Sequence, residues 1–391
     1  MTTTLDRRGF LKLNSAATIA AGVAIASAGS SQRLHADHLG AQNHTLNYGP
    51  PPGVAKLDSN ENPFGPSPAA LSAIQEAAKN GAYYVDASVI RLKAMIAERH
   101  GLTPAHVSLS SGSSGVLSYL AVAKTREGHI LGPDLFWDTT AKAGVRQGGE
   151  IRRLPKSADM AIDLAAMAKA ITADTALVHI TNPNNPTGML LDAEALRAFC
   201  IRSAKKAMVL VDEAYNEITD KPDFNTMIPL IKAGHNVVVA RTFSKLYGLA
   251  GMRVGYMLSS PETAQLITRY GIGDYALNQA GLAAAIASYN DIGFLAKAKS
   301  RIIETREAIV AALRKEGLSP LPSVTNFVFT DLGAVHADSF RAAMAAENIL
   351  IRGVYRDYHH HSRVSTGLPE DVNRYINRLP KVLDRLRRQA A

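Results

Sequence analysis

Apolar, β-branched runs alternate with helix-periodic stretches along most of this chain. The runs A-L-V-H-I at 176–180, M-V-L-V-D at 208–212 and N-V-V-V-A-R at 236–241 are short and almost continuously apolar, as expected of strands covered on both faces. Between them lie stretches such as L-D-A-E-A-L-R-A-F-C at 191–200, with apolar positions at helical spacing. The alternation predicts an α/β fold: a doubly wound, mostly parallel sheet covered by helices, with ligands at the carboxyl ends of the strands. Each run ends in, or is soon followed by, a polar cluster: T-N-P-N-N-P-T-G, D-E-A-Y and R-T-F-S-K. Beyond about residue 262 a long helical region leads to N-F-V-F-T, I-L-I-R and a terminal helix, which predicts a second, smaller domain.

The first residues break this pattern. D-R-R-G-F-L-K at 6–12 precedes the small-residue run N-S-A-A-T-I-A-A-G-V-A-I-A and then A-S-A at 26–28. A charged head, a short apolar stretch and small residues at a cut site make a signal peptide over 1–28. Arg7 and Arg8, followed by Phe10, Leu11 and Lys12, resemble the twin-arginine export signal. The expectation is a periplasmic protein that meets the membrane only transiently, through the twin-arginine export machinery; an uncleaved anchor is the alternative. A linker at 29–55 then leads to a large domain at 56–262 and a small one at 263–391.

With 391 residues, 47% of them hydrophobic, the chain can bury a substantial core in two lobes. Its 43 basic and 34 acidic residues give +9, but they are scattered and no nucleic-acid motif gathers them, so the charge reads as solvated surface. Cys200, the single cysteine, sits in an apolar-periodic segment without the surroundings of a thiol nucleophile.

The polar clusters describe a cofactor. Lys245 follows a strand with few other charges nearby, as a lysine that forms an imine with an aldehyde would. Asp212, at a strand end, suits the carboxylate that keeps a pyridine nitrogen protonated, although capping a helix is the commoner role of such a residue. S-S-G-S-S-G at 110–115 opens a helical run and offers amides and hydroxyls to a phosphate, with Thr242, Ser244 and Arg253 to complete the set. Each charge-assisted bond to such an anion is worth roughly 1.5–3 kcal/mol.

N-P-N-N-P-T-G at 182–188, V-D-E-A-Y at 211–215 and T-F-S-K-L-Y-G-L-A-G-M-R-V-G-Y at 242–256 resemble the class I/II aminotransferases, pyridoxal-phosphate enzymes of the aspartate aminotransferase fold. K-L-D-S-N-E-N-P-F-G-P-S-P at 56–68 resembles the histidinol-phosphate aminotransferase branch. The resemblance covers about residues 46–385 and implies a seven-stranded sheet of fold type I, with a smaller α+β domain. It makes Lys245 the Schiff-base lysine, pairs Asp212 with the pyridinium nitrogen, and gives Tyr215 and Asn185 to the ring hydroxyl. Gly112, Ser113, Ser114, Thr242, Ser244 and Arg253 then hold the phosphate. Trp137, with Phe136 as the other candidate, stands where the family stacks an aromatic on the ring, although L-F-W-D-T-T lacks the usual P-T-Y pattern. Tyr84 matches a tyrosine that reaches the phosphate of a neighbouring subunit, implying a homodimer.

On the substrate side the resemblance gives the α-carboxylate to Arg363, in S-R-V-S-T-G, and a second contact to Arg352. Tyr48 stands for a substrate-contacting tyrosine. In an extended strand His359 and His361 would share a face, but without further ligand spacing a polar loop is the expected reading and no metal is expected. The implied activity is transamination between an amino acid or amino-acid-like donor and a 2-oxo acid acceptor. Decarboxylation or elimination on the same fold, or a non-catalytic exported binding protein, are the alternatives.

Overall fold

The computed structural model describes residues 48–390. The twin-arginine segment, its cleavage site and the linker as far as residue 47 lie outside the described residues. Twelve strands are described: β1 (Ala55–Leu57), β2 (Val107–Ser111), β3 (His129–Pro133), β4 (Ile151–Leu154), β5 (Thr175–Thr181), β6 (Met208–Asp212), β7 (Val237–Thr242), β8 (Val254–Leu258), β9 (Ser319–Pro320), β10 (Phe327–Asp331), β11 (Ile349–Ile351) and β12 (His361–Ser365). Seven form one sheet in the order β2-β8-β7-β6-β5-β3-β4. It is parallel except for β8, which runs antiparallel to both neighbours. The mostly parallel seven-stranded sheet is thus present, and the three apolar runs are its centre.

Their continuous hydrophobicity has a simple cause. Successive side chains point to opposite faces, and both faces are covered. Val178, Ile180, Val209, Val211, Val237 and Val239 pack into one core with the helices Ala87–His100, Ala193–Ser203 and Gln279–Tyr289. Leu177, Met208, Leu210, Val238 and Ala240 face the other way, against the helix Ser113–Lys124. Cys200 is fully buried in the first core, where burial raises its thiol pKa to about 12. Helix starts follow local chemistry: Asp192 and Ser260 cap Ala193–Ser203 and Pro261–Tyr270 through first-turn amides.

A second core gathers β10, β12, the helix Ile292–Lys315 and the terminal helix Pro369–Ala390. Its sheet is antiparallel, β12-β10-β9. Chain order and packing part company at both ends of this region. β1 pairs with β11 and buries Ala55 and Leu57 in the second core, while Gln279–Tyr289 packs in the first. The sequence-based limits at 262 and 263 fall within Pro261–Tyr270, whose Ile267 joins the core under Ser113–Lys124.

Candidate active site

The carboxyl ends of β2, β3, β5, β6 and β7 open on one cavity of about 650 Å³. At one end, Gly112 follows β2 with φ +72°, a conformation that favours glycine. A Cβ there would stand 2.7 Å from Arg253 Cζ. The helix behind it starts without a side-chain cap, leaving first-turn amides at Ser113 and Ser114, both of which line the cavity. Arg253 Nη2 donates to Ser114 Oγ (3.2 Å) and Nη1 to Ser244 Oγ (3.5 Å). Thr242 Oγ1 donates to Ser244 Oγ at 3.0 Å. This is a cradle for a dianion.

Strand alternation divides the neighbouring charges. Asp212 faces the cavity, whereas Glu213 turns away to accept from Arg241 at 2.7 and 3.0 Å. Asp212 accepts from Ala214 N (3.2 Å), yet burial raises its pKa to about 7, with nearby Lys245 opposing the shift. An aromatic nitrogen cation suits such a carboxylate. Lys245 Nζ donates to Asn60 O (3.0 Å) and lies 5.5 Å from the Tyr215 ring centroid. Burial, followed by the charge of Arg363, lowers its pKa to about 8. The buried Tyr215 hydroxyl accepts from Asn60 Nδ2 (3.0 Å) and Asn185 Nδ2 (3.5 Å). Thr181 lines the same region, and its Oγ1 has no partner among the described residues. Phe136 and the partly buried Trp137 form the facing wall, with Phe136 edge-on to His179.

At the other end, Arg363 on β12 is buried and reaches across to the large sheet. Its Nη1 donates to Asn185 Oδ1 (2.8 Å) and Nη2 to Asp58 O (2.7 Å), while Nε has no partner among the described residues. Arg352 bonds backbone to backbone with Arg363 and lines the same wall. Tyr355 sits 5.4 Å from each of the two guanidiniums, and Arg356 adds a third.

Lys245, Asp212, Tyr215, Asn185, Ser113, Ser114, Thr242, Ser244, Arg253, Trp137, Arg352 and Arg363 therefore meet in one cavity, with Gly112 shaping its edge. Tyr84 does not line it: the side chain is 80% exposed, edge-on to Tyr275 at 5.7 Å. Tyr48 is exposed at the start of the described residues. His359 is exposed and stacks on His336, whereas His361 stacks on Phe329. Asn60 was missed by sequence reasoning. Its φ of +54° and its two bonds with Ser365 Oγ aim the amide at Tyr215, and the signal for this was only an asparagine between polar residues in D-S-N-E-N. Tyr355 and Arg356 were not singled out from the sequence either.

A family model described as aminotransferase class I and II matches residues 52–379. The chain is a class I and II aminotransferase. It is 36% identical over 337 residues to histidinol-phosphate aminotransferase 2 of Pseudomonas fluorescens, covering 86% of this chain and 90% of that protein. A crystal structure of histidinol-phosphate aminotransferase from Sinorhizobium meliloti, in complex with pyridoxal 5'-phosphate, superposes with a TM-score of 0.76 at 32% identity, over 85% of this chain and 92% of that one. Aspartate aminotransferase from Thermus thermophilus with maleate shares the fold, with a TM-score of 0.71 at 18% identity over 84% and 92%. The donor set of this aminotransferase fits pyridoxal 5'-phosphate: an uncapped helix start with hydroxyls and a guanidinium for the phosphate, Asp212 for a ring nitrogen, Tyr215 for a ring hydroxyl, and Lys245 for an aldehyde.

Proposed function

We propose that this enzyme transfers amino groups with pyridoxal 5'-phosphate, from amino substrates whose carboxylate or equivalent anion is taken by Arg363. One observation carries the reading. Lys245 and Arg363 enter the same cavity, and Arg363 is joined through Asn185 to the Tyr215 hydroxyl, so an anion clamp stands at the edge of the ring site. A planar guanidinium holds a carboxylate bidentately and fixes the substrate's orientation.

When bound, the cofactor supplies an aldehyde and a protonated ring that draws electron density from the substrate. Asp212 keeps the proton on the ring nitrogen. Lys245, with its pKa lowered to about 8, gives up its proton more readily than an ordinary lysine, and its Nζ in the neutral form can take one from the substrate α-carbon. Tyr215, oriented by Asn60 and Asn185, fixes the ring edge. Arg253, Ser114, Ser244 and Thr242 anchor the phosphate end.

Histidinol phosphate, after the names of the relatives, is the first amine to offer, followed by the amino acids and their phosphates. Each is added to purified holoenzyme while the visible spectrum is followed, and products are assayed for an oxo acid. Bleaching with stoichiometric oxo product supports the proposal; carbon dioxide release without oxo product would replace transamination by decarboxylation.

Two further parts of the reading concern assembly and location. We propose a homodimer, supported by the exposed Tyr84 and Tyr275 pair; a monomer with full activity in light scattering would overturn it. We also propose periplasmic location after twin-arginine export, supported by the sequence at 6–28. Changing Arg7 and Arg8 to lysine should retain the protein inside the cell, and unchanged export would overturn the idea. A periplasmic enzyme stands outside cytoplasmic histidine synthesis, which favours an amine other than histidinol phosphate.

A further inference from the structure

Asp134 joins the two segments that carry opposite walls of the cavity. It is the first residue after β3, three positions before Trp137, and its backbone is tied down: its N donates to Leu154 O (2.7 Å) and its O accepts from Arg153 Nη1 (3.1 Å). Arg153 also pairs with Asp138 and lies 5.2 Å from the Phe136 ring centroid. The loop bearing Phe136 and Trp137 is therefore held to the large sheet, and the Asp134 carboxylate projects from a fixed base.

That carboxylate reaches the opposite wall. Its Oδ2 accepts from the Tyr358 hydroxyl at 2.6 Å, and its Oδ1 lies 3.3 Å from Arg356 Nη2. Both partners belong to the segment between Arg352 and β12, the same segment whose Tyr355 ring lies 5.4 Å from each of the Arg352 and Arg363 guanidiniums. The side chains of Asp134 and Arg356 are 26% and 33% exposed, so the pair is partly shielded. Tyr358 is braced by His361, edge-on at 5.8 Å, and by Lys156 over its ring at 5.3 Å. Burial and the nearby carboxylate hold the Tyr358 hydroxyl well above its usual pKa, so it remains a donor throughout the working range. Arg356 lines the cavity but has its charge answered by Asp134, with Asp357 as a more distant partner. Arg352 and Arg363 are left as the cations of that wall facing an incoming anion.

We propose that Asp134 is a positioning residue, which through Tyr358 and Arg356 fixes the arginine wall of the substrate pocket against the aromatic wall of the ring site. The proposal rests on reading this cavity as the transamination site. It makes the span between Trp137 and Arg352 a property of one carboxylate, and with it the length of substrate the pocket accepts.

The test uses holoenzyme and succinate, a dicarboxylate that cannot be transaminated. Trp137 is the only tryptophan in the chain, so its fluorescence reports the aromatic wall directly. Succinate is titrated into the wild type and into Asp134→Ala, Asp134→Asn and Tyr358→Phe, with cofactor content and thermal midpoint measured for each. In Asp134→Ala the succinate Kd should rise about tenfold or more, the loss expected for a charge-assisted contact, at unchanged cofactor content. Asp134→Asn keeps an acceptor for Tyr358 but no charge for Arg356 and should fall between the wild type and alanine, as should Tyr358→Phe. Wild-type affinity in Asp134→Ala would overturn the proposal. So would weakening that merely tracks lost cofactor or a lower thermal midpoint, since that is a general structural defect. Absence of any Trp137 response in wild-type holoenzyme would also overturn it, because the two walls would then not share a ligand. Failure of the wild type to hold the cofactor at all would instead sink the functional reading beneath it.

Discussion

The cofactor end of the cavity is built from residues at or beside strand ends of one mostly parallel sheet, whereas the anion clamp is built across the chain, with Asp58 and Arg363 meeting over a separation of 305 positions. The two ends also differ in electrostatics. At the cofactor end burial moves Asp212 up to about 7 and Lys245 down to about 8, so neither is comfortable as an ion without a ligand. At the clamp end Arg363 is held by Asn185 Oδ1 and the Asp58 carbonyl, both neutral acceptors, and keeps its charge free for a substrate. The contrast teaches a division of labour: the sheet edge tunes protonation, and the second core presents fixed charge.

The sharpest way to break that contrast is at Lys245. Lys245→Ala should lower turnover by at least about 10²–10⁴-fold, the usual contribution of a general base. Phosphate anchoring by Ser114, Ser244 and Arg253 should keep the cofactor bound, as measured by its release on denaturation. More than about a tenth of wild-type turnover would remove Lys245 from the proton transfer.

Next in size is the support behind the cofactor end. Arg241→Met leaves the buried Glu213 Oε2 without the two donors of Arg241 and should cost about 3–5 kcal/mol of stability in urea unfolding. A loss below about 1 kcal/mol would mean that the Thr226 hydroxyl and the Met227 amide, with water, satisfy Glu213 without Arg241.

At the clamp, Arg363→Lys should weaken amino-substrate binding by about 1.5–3 kcal/mol while leaving the cofactor spectrum intact. Unchanged affinity would transfer the carboxylate to Arg352.

The most gradual effect is a pH dependence, at most about 1.4 kcal/mol for each pH unit. In cofactor-free protein the raised pKa of Asp212 means that the folded state keeps a proton which the unfolded chain has lost. Its contribution is full below about pH 4 and disappears as pH rises to about 7, with a slope of at most about 1.4 kcal/mol per pH unit. Lys245 is protonated in both states below about pH 8 and adds no slope there. Urea unfolding at pH 5, 6 and 7 should therefore show Asp212→Asn lacking a decline that the wild type has. Parallel profiles for the two proteins would show that Asp212 is not desolvated.

Much of the cofactor end was legible because each of its motifs is a strand end followed by a short turn. V-D-E-A-Y and R-T-F-S-K carry both the period that makes them strands and the groups exposed where the strand stops. Even there, sequence could not say that Arg241 turns from the cavity while Thr242 faces it, until β7 was placed with both faces covered. The aromatic wall shows the limit differently: Phe136 and Trp137 were both candidates, and the structure brings both to the cavity.

By itself the sequence determined the α/β class and the parallel centre of the sheet, and singled out Lys245, Asp212 and Arg253, which the structure brings into one cavity, because local periodicity and contiguous motifs encode strand ends. The tertiary structure alone decided the antiparallel β8, the pairing of β1 with β11, the aim of Asn60 at Tyr215 and the tie from Asp134 to Tyr358. Each of these joins segments far apart in the chain, and a contact across such a distance is set by how the two cores close on each other, for which no local pattern of residues carries a record.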